Sequence, residues 1–284
     1  MSLIALVFAL LAAVMHAVWN ALLKRSRHQF EYLWLIITLG GIAGAPVLVY
    51  YIAQGQLGEN FWWWLLATVV LHTAYLQFLV ASYRLGDLSF AYPIGRGLSV
   101  ALVPIIAALA YDEQPSLAGG IGIATVALGI FAVGWPGLRA KWQPGHFRAL
   151  AASTGAGVMI SICAVVDKAA VMQVNVVPYL IALFVGMGLL SAPIALRNST
   201  GVLSLLSGYR PALIAGTLLC SVTYLLVLFA FQLSTAGYVV AARDCSIAVA
   251  ALIGWLILKE RATPMRVTGV VLIVAGIIAI ALGG

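Results

Sequence analysis

The sequence predicts an all-α membrane protein, with ten transmembrane helices arranged as two inverted five-helix repeats around a central cavity. Three observations carry this expectation. Of the 284 residues, 64% are hydrophobic and 8% charged. A soluble domain carries about 25% charged residues, so lipid as well as protein must cover this much apolar surface. Ten apolar stretches of about 20 residues, each long enough to cross a bilayer, follow one another with short connections. Finally, the halves repeat. Arg96, Ser99, Glu113, Gly122 and Gly129 recur at one constant spacing as Arg243, Ser246, Glu260, Gly269 and Gly276. Val14-Met15 and Tyr75 recur at nearly the same spacing as Val158-Met159 and Tyr224. Residues 1–138 are expected to form the first repeat and 139–284 the second. Five segments per copy is an odd number, so the second copy enters the membrane upside down, an arrangement that places binding sites between the copies.

The segments of the first copy fall near 3–24, 31–53, 61–83, 88–110 and 116–135. The first flows straight into a span without a basic leader, and His16, Trp19, Asn20 and Lys24 form a polar and aromatic stripe on it. The third opens on Trp62-Trp63-Trp64, an interfacial aromatic belt, and carries His72, Tyr75 and Leu79 on one face. In the fourth, Tyr92, Arg96, Ser99 and Val103 share a face by helical spacing. Pro93 frees the Ser89 carbonyl there, and Gly95 and Gly97 leave backbone bare beside Arg96, so an interruption at membrane depth is expected. In the fifth, Gly122 and Gly129 mark one side for close packing.

A polar break at 139–148 precedes the second copy, with segments near 148–169, 176–196, 211–232, 236–258 and 265–283. The sixth segment carries Ile160, Cys163 and Ala164 where the first has His16, Trp19 and Asn20, so the copies have diverged. The eighth presents Thr217, Ser221, Tyr224 and Leu228. The ninth repeats the arginine stripe as Val239, Arg243, Ser246 and Ala250, and the tenth repeats the two glycines. Glu113 and Glu260, at helix ends, are expected to organise turns.

The net charge of +7 suggests no nucleic-acid partner here, because twelve basic residues lie in the odd-numbered connections and only Lys168 lies on the other side. By the positive-inside rule the basic face is cytoplasmic and both termini are outside. Cys163, Cys220 and Cys245 form no CxxC pair, so no metal, cofactor or disulfide framework is expected.

Arg96 and Arg243 are the centre of the candidate substrate site. An arginine at membrane depth costs roughly 2.5–3.5 kcal/mol and faces a partner or a cavity. The two arginines against Asp244 leave one net positive charge, which suits an anion or a zwitterion, and a guanidinium offers a planar fork to carboxylate or phosphonate. Asp244, beside Arg243, can pair with Arg96 across the cavity or neutralise Arg243 through a bend. Tyr92, Ser99, His16, Trp19, Asn20, His72, Tyr75, Tyr224 and Ser246 complete the candidate set, with Asp244 and His16 as candidate proton-coupling groups. No HExxH or GxSxG motif is present. An intramembrane enzyme would have to use Ser99 with His16 or His72, and it is the least favoured class.

The pieces His16-Ala-Val-Trp-Asn20 with Lys24, Tyr92-Pro-Ile-Gly-Arg-Gly97, and the paired ends Asp112-Glu113…Gly122…Gly129 and Lys259-Glu260…Gly269…Gly276 resemble the drug/metabolite transporter superfamily, of the ten-helix EamA type. The resemblance spans the chain. It implies a cavity built from segments 1, 3, 4, 6, 8 and 9, with 5 and 10 outside. It also implies cytoplasmic termini as that family is usually drawn, against the loop charges. The expectation is a multi-pass protein of the bacterial inner membrane. It would be a secondary transporter moving an amino acid, organic acid or organophosphonate by alternating access, with lipids and protons as further partners and a monomer as the simpler state. Alternatives are a flippase for a phosphate-bearing lipid carrier and an exporter of organic cations.

Overall fold

The structure, a computed structural model, describes residues 1–85, 88–138, 146–256 and 263–283. Within these, the side chain of Tyr92 lies outside the described residues, as do Lys259, Glu260 and Arg261 altogether. The chain is helical in every regular element described: α1 (Leu3–Arg25), α2 (Gln29–Ala53), α3 (Phe61–Leu85), α4 (Leu88–Tyr111), α5 (Leu117–Leu138), α6 (His146–Val171), α7 (Val176–Ala195), α8 (Ser199–Gly208), α9 (Arg210–Leu233), α10 (Ala236–Arg243), α11 (Ser246–Leu256) and α12 (Pro264–Gly283). Among the described residues nine stretches are long and apolar enough to cross a membrane. The expected ninth segment holds α10 and α11, on either side of a break. The protein is an integral, multi-pass membrane protein.

Helices α5 and α12 pack against each other antiparallel, and four glycines set their distance. A Cβ on Gly122 would come within 2.8 Å of the Gly276 carbonyl oxygen, and one on Gly129 within 2.7 Å of the Gly269 oxygen. Repeat equivalence turns the first pair into the second. The flanking contacts obey the same exchange: Gly269 meets Val133 and Gly122 meets Ile280, while Gly276 meets Val126 and Gly129 meets Ile273. This two-fold relation is what an inverted repeat requires.

Two expectations are corrected. The fourth segment is not interrupted: α4 runs unbroken through Pro93 and Pro104. Pro93 sits close to the helix start, where the missing N–H frees one carbonyl only. The break lies instead in its repeat partner, between Arg243 and Ser246. There Asp244 takes φ −76° and ψ 0°, and its backbone still closes bonds to Val240 and Ile247. The stripe Val239, Arg243, Ser246 and Ala250 therefore spans two helices rather than one face. Gly95 and Gly97 are also not bare backbone. A Cβ on Gly157 of α6 would stand 2.8 Å from the Gly95 carbonyl oxygen, and one on Gly97 would strike the Phe131 ring of α5 at 2.8 Å. The glycines let α4, the carrier of Arg96, sit hard against α5 and α6.

Helix α8 was not expected. It follows a short 3-10 turn, Leu196–Asn198, and begins on Asn198, whose side chain accepts a bond from the Gly201 N–H and donates to Glu31 at 2.8 Å. Val202 and Leu205 bury its inner side. The helix stands at the end of the molecule that carries the basic loops.

Candidate functional site

The break between α10 and α11 aims Asp244 at α4. Arg96 Nη1 lies 3.3 Å from Asp244 Oδ1, and Ser99 Oγ donates to Asp244 Oδ2 at 3.1 Å. The other end of the guanidinium, Nη2, donates to His16 Nε2 at 3.0 Å, which makes that nitrogen an acceptor and His16 neutral. Trp19 meets the His16 ring edge-on, with centroids 4.8 Å apart. Asp244 is fully buried, and His16, Arg96, Ser99 and Arg243 are buried with it.

Arg243 is held differently. Its Nε stands 4.0 Å from Asp244 Oδ1 and makes no hydrogen bond among the described residues. Ser246 Oγ and Trp19 Nε1 are likewise buried without a partner. Buried polar groups are ordinarily satisfied, and these three are not. Both pairings offered for Asp244 by the sequence are realised: it is bonded to Arg96 and, through the bend, lies against Arg243.

A small cleft of about 10 Å³ is lined by Tyr75, Leu79, Ser82, Gly95, Arg96 and Ile160. Leu79 also lines a cavity of about 200 Å³ at the basic end, where Arg27, Glu31, Arg84 and Asn198 surround the mouth. The opposite end is tied together by polar contacts. Lys168 Nζ pairs with Glu113 at 3.5 Å and donates to the Ser234 carbonyl at 3.1 Å and to that of Phe231. Glu113 accepts from the Ala236 N–H at 2.9 Å, at the start of α10. Gly58 and Val174 pair as an isolated antiparallel bridge, beside a bond from Asn175 N to the Leu57 carbonyl at 3.0 Å. Gly58 has φ +98° and a Cβ there would lie 2.6 Å from Val174 Cα, so only glycine fits this contact.

A second buried cluster centres on Asp167 of α6, a residue the sequence reading passed over. Thr68 Oγ1 and Tyr179 OH each donate to Asp167 Oδ1 at 2.7 Å, and Tyr224 OH donates to Oδ2. His72 Nε2 lies 3.4 Å from Oδ2 and 2.6 Å from the Tyr224 oxygen. His72 and Tyr224, expected beside the arginines, thus belong to this cluster. Asn20 donates to its own helix, at the His16 carbonyl. Tyr75 lines the same small cleft as Arg96. Tyr92 is on α4, with its side chain outside the described residues. The signal for Asp167 was available as a lone acid inside an apolar span; its partners, from three other helices, were not.

Comparison with known proteins agrees with this architecture. Residues 145–282 match the EamA-like transporter family. A solved crystal structure of a protein superposes with a TM-score of 0.71 over 99% of this chain and 96% of that one, at 16% identity, which speaks to the fold alone. No curated protein matches the sequence. Through residues 145–282, the segment that contains Arg243, Asp244 and Asp167, the chain is similar to the EamA-like transporter family.

Proposed function

We propose that this protein is a secondary transporter that carries a small anionic or zwitterionic metabolite by alternating access, gripping the anionic group with Arg243. The observation that supports this most is the contrast between the two arginines. Arg96 is committed to Asp244 and His16, whereas Arg243 is buried with its Nε unbonded next to a helix break. Discontinuous helices with unmatched polar groups are where carriers of this kind seat their substrates. The pair of arginines against one aspartate leaves a single positive charge, which favours a carboxylate or phosphonate over an organic cation. An amino acid, an organic acid and an organophosphonate all satisfy that requirement. In this reading residues 1–138 and 139–284 are the two copies that rock against each other. The basic loops are cytoplasmic, both termini are outside, and the cavity among Arg27 and Arg84 is the cytoplasmic mouth.

The test is counterflow in proteoliposomes with labelled glutamate, succinate and phosphonoacetate, against tetraethylammonium. Wild type is expected to exchange at least one of the anions and not the cation. Arg243→Ala is expected to abolish that exchange while remaining monodisperse. Exchange at the wild-type rate in Arg243→Ala, or exchange of the cation alone, overturns the proposal.

A further inference from the structure

The Asp167 cluster ties α3, α6, α7 and α9 together towards the end opposite the basic loops, and its hydrogens can be counted. His72 Nδ1 lies 3.0 Å from the Thr68 carbonyl, which only accepts, so Nδ1 carries a hydrogen. Thr68 Oγ1, also near Nδ1 at 3.1 Å, gives its own hydrogen to Asp167. On the other side, the Tyr224 oxygen bonds both His72 Nε2 and Asp167 Oδ2. Two bonds in a row need two hydrogens, and the phenol supplies one. The second must sit on Nε2, as an imidazolium facing a carboxylate, or on Oδ2, as a carboxylic acid facing a neutral imidazole. In either form the trio is electrically neutral and holds one transferable proton, shared between coupled groups. If that proton leaves, a carboxylate charge stays buried and one of the two bonds loses its hydrogen, an expensive state in a low-dielectric interior.

Among the described residues no other cation lies within ion-pair distance of that charge. The groups facing Asp167 are His72 and Thr68 from α3, Tyr179 from α7 and Tyr224 from α9, with Cys163 one turn back on α6. Lys168, its neighbour in sequence, is turned to Glu113 and the carbonyls of Phe231 and Ser234. Asp244, by contrast, is already matched by Arg96 and Ser99 and lies against Arg243.

We propose that His72, Tyr224 and Asp167 form a proton-binding site that holds the face opposite the basic loops closed only while one proton is bound. It rests on the transport reading for its purpose: a carrier closed by a proton at one face and opened by its loss can draw on a proton gradient. The site is separate from the arginine cluster, and it replaces Asp244 and His16 as the coupling group.

The experiment is amide hydrogen exchange of the full-length protein in lipid nanodiscs, without substrate. Segments 57–64 and 165–176 are followed at about pH 6 and about pH 9, corrected for the intrinsic rate. Wild type is expected to lose protection there by about tenfold or more at the higher pH. Asp167→Asn, which stays neutral, is expected to keep both segments protected at both values. His72→Gln combined with Asp167→Asn removes both seats of the proton, and the double variant is likewise expected to show no response to pH. Equal protection of wild type at the two pH values overturns the proposal, as does a wild-type pH response in Asp167→Asn or in the double variant. Because no solute is used, those results leave the carrier reading standing, and failed counterflow with a pH-linked opening removes the carrier reading alone.

Discussion

Arg96 and Asp244 meet at 3.3 Å across the interface between α4 and the break after α10, and Asp244 is also the one carboxylate within 4.0 Å of Arg243 among the described residues. One buried anion thus serves two buried cations. Removing it leaves both guanidiniums uncompensated, and breaking a buried pair by deleting one partner costs about 3–5 kcal/mol. Asp244→Asn is therefore expected to lower the thermal unfolding temperature strongly. Arg243→Ala, which leaves Asp244 still paired with Arg96 and Ser99, is expected to shift stability by much less. Tryptophan fluorescence melts of the two variants in one detergent check the ordering. Equal melting temperatures would mean that Arg243 is as structural as Asp244.

A lysine in place of either arginine keeps the charge and loses the planar fork. At position 96 the change removes the geometry that lets one group reach both Asp244 and His16. Arg96→Lys is accordingly expected to destabilise the protein. At position 243 the same change is expected to spare the melt and to slow anion counterflow by about ten- to a hundredfold, as the loss of one charge-assisted hydrogen bond of about 1.5–3 kcal/mol would. Counterflow rates at saturating and limiting anion separate a binding defect from a translocation defect.

The all-helical membrane fold was legible because spans are long and their composition is extreme. The relation between Gly122 and Gly276 was legible as a repeated spacing, though the antiparallel contact itself was not. The location of the helix break was misjudged for a physical reason. Proline is the visible breaker, yet Pro93 sits near the start of α4 and is tolerated. The actual break follows from Asp244, whose carboxylate is drawn to Arg96 and Ser99 on another helix. That is a tertiary cause, with no local signature beyond an acid next to an arginine. Asp167 was missed on the same ground. Its partners Thr68, His72, Tyr179 and Tyr224 come from three helices scattered along the chain, and only folding brings them together.

Opposite the basic loops, Lys168 joins α6 to Glu113 and to the end of α9. The Lys168–Glu113 pair is partly exposed, with 12% and 17% of the side chains accessible, so its Coulomb contribution alone is about 0–1 kcal/mol. Its position matters more than its strength, because with the Ser234 contact it spans α6, the end of α9 and the loop before α5. Lys168→Met is expected to leave the global melt within about 2 °C of wild type, since a change below 1 kcal/mol shifts a chain of this size little. The same variant is expected to raise amide exchange in segment 165–176 several-fold. Exchange unchanged from wild type would show that the bridge at Gly58 and Val174 holds the face closed without it.

The glycine pairs of α5 and α12 give a prediction with a built-in symmetry control. A side chain at Gly122 would run into the Gly276 carbonyl at 2.8 Å and the Ile280 side chain at 2.8 Å. Backbone cannot yield there as a flexible side chain can, so the two helices must move apart. Overpacking of this kind costs about 1–3 kcal/mol, and more where backbone is the obstacle. Gly129 faces the equivalent surroundings, the Gly269 carbonyl at 2.7 Å and Ile273 at 2.8 Å. Gly122→Leu and Gly129→Leu are therefore expected to lower the melting temperature by similar amounts. Gly120→Leu, on the same helix with nothing within 4 Å of its Cβ position, is expected to leave it unchanged. The pairing makes a further demand. Each substitution already separates α5 from α12, so Gly122→Leu combined with Gly276→Leu should destabilise by less than the sum of the two alone, a coupling that a double-mutant cycle reads directly. Strict additivity would mean that the two glycines do not share one interface, and the two-fold relation drawn from their contacts would fail with it.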